Sequence, residues 1–165
     1  MKAFVFLIIM CSGMFATCTN MLKQKDGIGR IFKMNYCDDK KYSLTLNNNM
    51  LFIQRYSDAI SQEELARLIA KLRKTSIWAD KAKSAKMDFK KTIPITTRGL
   101  GVEFSSSKKG SSISVTIHGT SDNLAVEDGS FRLDGKKEII NFAKQLENIK
   151  NTAEAKIKKI NDIFN

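Results

Sequence analysis

The chain has 165 residues, 42% of them apolar, with a single proline, three cysteines and a formal net charge of +11. That apolar fraction argues against a disordered chain, and the length suits one domain that buries roughly two-thirds of its unfolded surface. The charge points to anionic partners, namely lipid head groups, acidic polysaccharides, nucleic acid or acidic proteins, although a lysine-rich surface also keeps a protein soluble.

The first element in chain order is a targeting signal. MKAFVFLIIMCSGMFATC opens on Lys2, runs apolar from Ala3 to Met10, and leaves through small residues and a cysteine. A cationic start, a short apolar core and a small-residue exit form the pattern of a secretory signal. The run is shorter than the roughly 20 apolar residues that span a bilayer. Phe15-Ala16-Thr17-Cys18 resembles a bacterial lipobox, with Phe15 and Thr17 where that pattern prefers an aliphatic and a smaller residue. Together with the bias toward Lys, Asn and Ile, this end is similar to small surface lipoproteins of spirochaetes such as Borrelia. The resemblance covers the signal, its exit and composition, and no motif of the folded part.

What the resemblance implies is a signal over 1–17, a lipidated Cys18 opening a polar tether over 18–27, and a single globular domain over 28–165. Two or more acyl chains would hold such a protein stably at a membrane. Ordinary cleavage between Ala16 and Asn20, or an uncleaved N-terminal anchor, are the alternatives. With Cys11 in the signal and Cys18 acylated, only Cys37 remains. No internal disulfide is then expected, and Cys37 reads as a buried thiol.

Within the domain, Phe32, Met34 and Tyr36 alternate with polar residues, as do Tyr42, Leu44 and Leu46. A period of two is what a half-buried strand needs. Asp38-Asp39 and Asn47-Asn48-Asn49 supply turn chemistry, and 50–56 gives a third strand. Ser61 and Glu64 then form a capping box, with Ile60 and Leu65 placed as its hydrophobic staple. Leu65, Leu68, Ile69 and Leu72 make one helical stripe, so a helix is expected over about 62–74. Four more strands follow at 92–97, 100–105, 112–118 and 129–133, with Pro94 marking an edge. Ile139, Phe142, Leu146, Ile149, Ala153, Ile157, Ile160 and Phe164 predict a helix over 136–164, capped by Asp134. At 1.5 Å per residue it is roughly 40 Å long. Its second half either folds back on the domain or offers an apolar stripe to a partner. The expected fold is α+β: one antiparallel sheet of six to seven strands with one short helix and one long C-terminal helix.

Catalytic signatures are missing. No paired-cysteine metal spacing, nucleophile elbow, phosphate-binding glycine loop or HExxH occurs, so no enzyme, metal or cofactor is expected. His118 falls on the polar face of its strand, and nothing marks a Cys37–His118 pair as a site. The basic run from Lys71 to Lys91 is the best candidate contact, with Lys81, Lys83, Lys86, Lys90 and Lys91 as point charges for a polyanion. Only Trp78 and Phe89 interleave it, too few rings for a base-stacking platform, so nucleic acid is disfavoured. With what the resemblance implies, the expected function is a non-catalytic, membrane-anchored surface lipoprotein binding a host or envelope macromolecule through that basic surface, and the charge points to an acidic protein or polysaccharide. The competing reading is a periplasm-facing envelope protein, an inhibitor or assembly partner acting through its long helix.

Overall fold

A computed structural model describes residues 17–47, 55–120 and 129–164. In chain order these are β1 (Cys18–Lys25), β2 (Ile31–Cys37), β3 (Tyr42–Asn47), β4 (Arg55–Ile60), α1 (Gln62–Ala85), β5 (Phe89–Pro94), β6 (Leu100–Ser107), β7 (Ser112–Gly119), β8 (Gly129–Asp134) and α2 (Gly135–Phe164). The fold is α+β, but the strands form two four-stranded antiparallel sheets, β1-β2-β3-β4 and β5-β6-β7-β8, rather than one sheet of six or seven. Each meander is followed by its own helix, so the order ββββα occurs twice. Most of the expected third strand, 50–54, lies outside the described residues, and β4 continues from 55 to 60.

The segment expected as a tether is instead β1, which pairs with β2 from Cys18↔Cys37 to Lys25↔Ile31. Its register shifts between Asn20 and Leu22. A bulge of this kind breaks alternation, so Met21 and Leu22 both rest against the core and the strand leaves no period-two signature. Asp26 closes the following turn. Its side chain is 1% exposed and accepts hydrogen bonds from the backbone N–H of Ile28 (3.1 Å), Arg30 (2.9 Å) and Arg132 (3.0 Å) and from Arg30 Nε (2.6 Å). The first turn of one sheet is thereby tied to β8 of the other. Burial pushes the Asp26 carboxyl up, but these four donors outweigh it and hold it below its ordinary value.

The inward faces of both sheets feed one apolar cluster with the two helices. Phe32 on β2, Phe131 on β8 and Phe142 on α2 meet ring to ring at 5.6, 4.9 and 5.3 Å. The sheets approach closely where glycines allow it: a Cβ on Gly119 would lie 2.1 Å from the Tyr56 ring, and one on Gly129 would lie 2.7 Å from Leu46. Arg98 adds a polar tie, its guanidinium bonding Asp58 on β4 (2.9 Å) and Glu64 on α1 (3.0 Å).

α1 begins as the sequence demands, with both halves of the Ser61–Glu64 capping box made. It runs eleven residues past the expected end at 74, to Ala85. Its later buried face is Thr75, Ser76, Ala79 and Ala82, small residues that carry little apolar signal. The Thr75 and Ser76 hydroxyls donate back to the Leu72 and Arg73 carbonyls at 2.7 Å, so the helix satisfies them itself. α2 starts beside Asp134, whose carboxylate engages Arg132 (2.8 Å) while its backbone N–H donates to Glu138 (2.8 Å). Ile139, Phe142, Leu146, Ile149 and Ala153 are buried. That length of stripe is core, leaving it no free face. The Ile160 and Phe164 side chains lie outside the described residues.

A basic groove around the single tryptophan

α1 carries Lys74, Trp78, Lys81, Ala82 and Ala85 at spacings of three, four and seven, which place them along one side of the helix. Lys86 ends the helix in the left-handed conformation (φ 49°). The chain turns there into β5, and Ser106 fixes the turn. Its hydroxyl accepts from Phe89 N–H and donates to the Met87 carbonyl, each at 2.9 Å. The β6–β7 turn packs on the same end of α1, since a Cβ on Gly110 would sit 2.2 Å from the Ala82 carbonyl oxygen.

This packing sets Trp78 edge-on to Phe104 (5.7 Å, 83°) and Phe89 (5.9 Å, 63°). Beside the indole lies an open groove of about 310 Å³, lined by Trp78, Ala82, Ala85, Met87 and Phe89 with Lys81 and Lys91 at its rim. Two ammonium groups stand over the indole, Lys91 at 5.5 Å and Lys74 at 5.6 Å from the ring centre. Such cation–π contacts hold a lysine head near a ring without neutralising it. Among the described residues Lys74, Lys81 and Lys91 have no carboxylate within 4.0 Å. The nearby acids are turned elsewhere: Asp80 to Lys136 (2.6 Å), Glu103 to Lys90 (2.9 Å) and Asp88 to the Gly110 N–H (3.2 Å). The groove therefore combines an apolar floor with uncompensated positive charge.

The five lysines expected to act together do not share a surface. Lys81 and Lys91 line the groove. Lys83 and Lys86 are exposed outside it. Lys90 alternates with Lys91 along β5, falls on the opposite face of the sheet, and is paired with Glu103. Lys74 lies in the basic run but is not one of those five, and its spacing through Trp78 to Lys81 was the available signal.

The groove lining has no carboxylate, imidazole, thiol or hydroxyl, and what it offers is positive charge beside an apolar floor. No group of three or more His, Cys, Asp or Glu among the described residues is placed to hold a metal. Cys37 is not a thiol: its sulfur is bonded to that of Cys18, which corrects the expectation of no internal disulfide. A disulfide sulfur has no thiolate with which to attack, so this form contains no Cys37 nucleophile for His118 to activate. The same bond occupies the atom on which lipidation was expected, and one sulfur cannot be both a thioether and half of a disulfide. Other cavities are less distinctive. One of about 360 Å³ beside Asp26 is lined by two arginines and two aspartates, already joined as Arg30–Asp26 and Arg132–Asp134.

No family model matches the chain, and no curated protein or solved structure matches it.

Proposed function

We propose that this chain is an exported, non-catalytic binding protein that holds an anionic macromolecule against the groove around Trp78. The reading rests on one observation: three lysines without carboxylate partners gather around a half-buried indole and an apolar floor. Export is supported by the N-terminal signal pattern and by the Cys18–Cys37 pair, because disulfides persist chiefly outside the cytosol. Anchoring by lipid at Cys18, on the outer face of a membrane, is the remaining part of the proposal. It requires diacylglycerol to be attached to that sulfur as a thioether before it meets Cys37, and in that form the Cys18–Cys37 disulfide does not exist. No helix among the described residues is long and apolar enough to cross a membrane. Intact-mass measurement of protein from native membranes tests the anchor: a chain starting at Cys18 and carrying diacylglycerol is expected, and an unmodified start upstream of it would overturn that part.

The groove is tested with two variants of equal net charge, Lys81→Glu/Lys91→Glu and Lys83→Glu/Lys86→Glu. Heparin serves as a polyanion probe, and the single tryptophan reports occupancy by its fluorescence. The groove pair is expected to weaken binding roughly tenfold or more, while the outer pair stays close to wild type. Contacts from three lysines imply a log–log salt slope near about −2, at roughly −0.7 per contact on a single-stranded polyanion. Equal losses in both variants, or binding indifferent to salt, would sink the reading.

A further inference from the structure

We infer that the groove's partner is an acidic protein segment that seats one apolar side chain on the groove floor beside the indole, with its carboxylates at the lysines that line and flank the groove. The inference rests on the proposed anion-binding function and narrows its ligand. Charge alone does not account for this surface. Five of the seven lining residues, Trp78, Ala82, Ala85, Met87 and Phe89, are apolar, and the polar atoms contributed by side chains are one indole N–H and the two lysine ammonium groups. A sulfated or uronic polysaccharide brings a dense array of hydroxyls, and the lining side chains include no carboxylate, amide or hydroxyl to accept their hydrogen bonds. Such a ligand would engage the rim and leave the floor wet. An acidic peptide matches both parts, with carboxylates for Lys74, Lys81 and Lys91 and an apolar side chain for the floor.

The surroundings favour the same occupant. Met87, a large apolar side chain that is 52% exposed, lines this groove. Methionine adapts its shape to varied side chains, and aromatic residues with a polar rim are the usual anchor sites of protein interfaces. The volume of about 310 Å³ suits a single large side chain rather than a whole folded element.

The test uses the chain from residue 18 onward, with its disulfide formed, and two synthetic peptides rich in Asp and Glu. They are identical except for a central leucine or alanine, and Trp78 fluorescence is again the readout. Seating the leucine is expected to tighten binding about tenfold to a hundredfold over the alanine peptide. Ala85→Glu, a surface change at the end of α1, should abolish that difference, and Lys83→Glu should not. Equal affinity of the two peptides, with loss of both in Lys81→Glu/Lys91→Glu, would overturn the inference while leaving anion binding intact. So would a preference for heparin, or for vesicles containing anionic lipid, over the leucine peptide. Failure of every anion to bind would remove the proposed function itself.

Discussion

Replacing Asp26 by alanine is expected to cost about 3–5 kcal/mol of stability, because it leaves the Arg30 guanidinium without its partner inside the fold. The carboxylate is 1% exposed and Arg30 is 16% exposed, so solvent screens the pair weakly. The aspartate also satisfies three backbone N–H groups, at Ile28, Arg30 and Arg132. Asp26→Asn keeps the shape but turns an amide NH2 toward donors, so a loss of about 2–3 kcal/mol is expected there. Urea unfolding followed by circular dichroism measures both. The pH dependence separates charge from shape. Asp26 has its folded-state value below the ordinary 3.8, so the unfolded chain takes up its proton first on acidification. Its contribution is fully present well above pH ~4 and is lost as pH falls through the depressed folded-state value. The gap between wild type and Asp26→Asn should therefore be constant near neutrality and close below about pH 4. Taking the difference removes the contribution of Glu64, another carboxylate with a lowered value. A loss under about 1 kcal/mol for Asp26→Ala, the typical effect of an arbitrary substitution, would refute the assignment of Asp26 as a tie between the sheets. A gap that persists into acid would refute its charge as the cause.

Two further outcomes follow from the packing. Gly119→Ala places a methyl group 2.1 Å from the ring of Tyr56, a side chain that is 4% exposed and whose hydroxyl is bonded to Asp58. A loss of about 1–3 kcal/mol in the urea midpoint is expected, largely relieved in a Tyr56→Ala background; an unchanged midpoint would mean that the sheets are not in contact there. Reduction of Cys18–Cys37, a bridge over a sequence separation of 19, should destabilise the chain from residue 18 onward by about 3 kcal/mol, since the closed loop no longer restricts the unfolded chain. Thermal unfolding with and without reductant measures it, and a Cys37→Ser variant insensitive to reductant serves as control. Identical melting of oxidised and reduced protein would show that the bridge is absent or without weight.

What the sequence determined by itself was local. Alternation at Phe32-Met34 and Tyr42-Leu44-Leu46 specified strands and their buried faces, because side-chain direction in a strand repeats every two residues whatever lies beside it. The capping box at Ser61 and Glu64 specified where α1 begins, since its bonds close within one turn. Spacings of three and four residues along α2 specified its core stripe as far as Ala153. Pro94 was legible as an edge residue because it has no N–H to give a neighbour, and β5 is an edge strand.

Tertiary structure decided what depends on neighbours distant in sequence. Alternation says which face of a strand is buried but not which strand lies next, so one sheet and two satisfy the same pattern. β1 was hidden because its bulge breaks the period, and its partner Cys37 is brought to Cys18 only by antiparallel register. The candidate lysines are close in sequence, yet Lys90 and Lys91 occupy opposite faces of β5 while Lys81 and Lys91 line one groove. The physical reason is the same in each case. A residue's own conformation is set by local bonds and sterics, whereas its company, and hence a binding surface, is set by how separately formed elements pack.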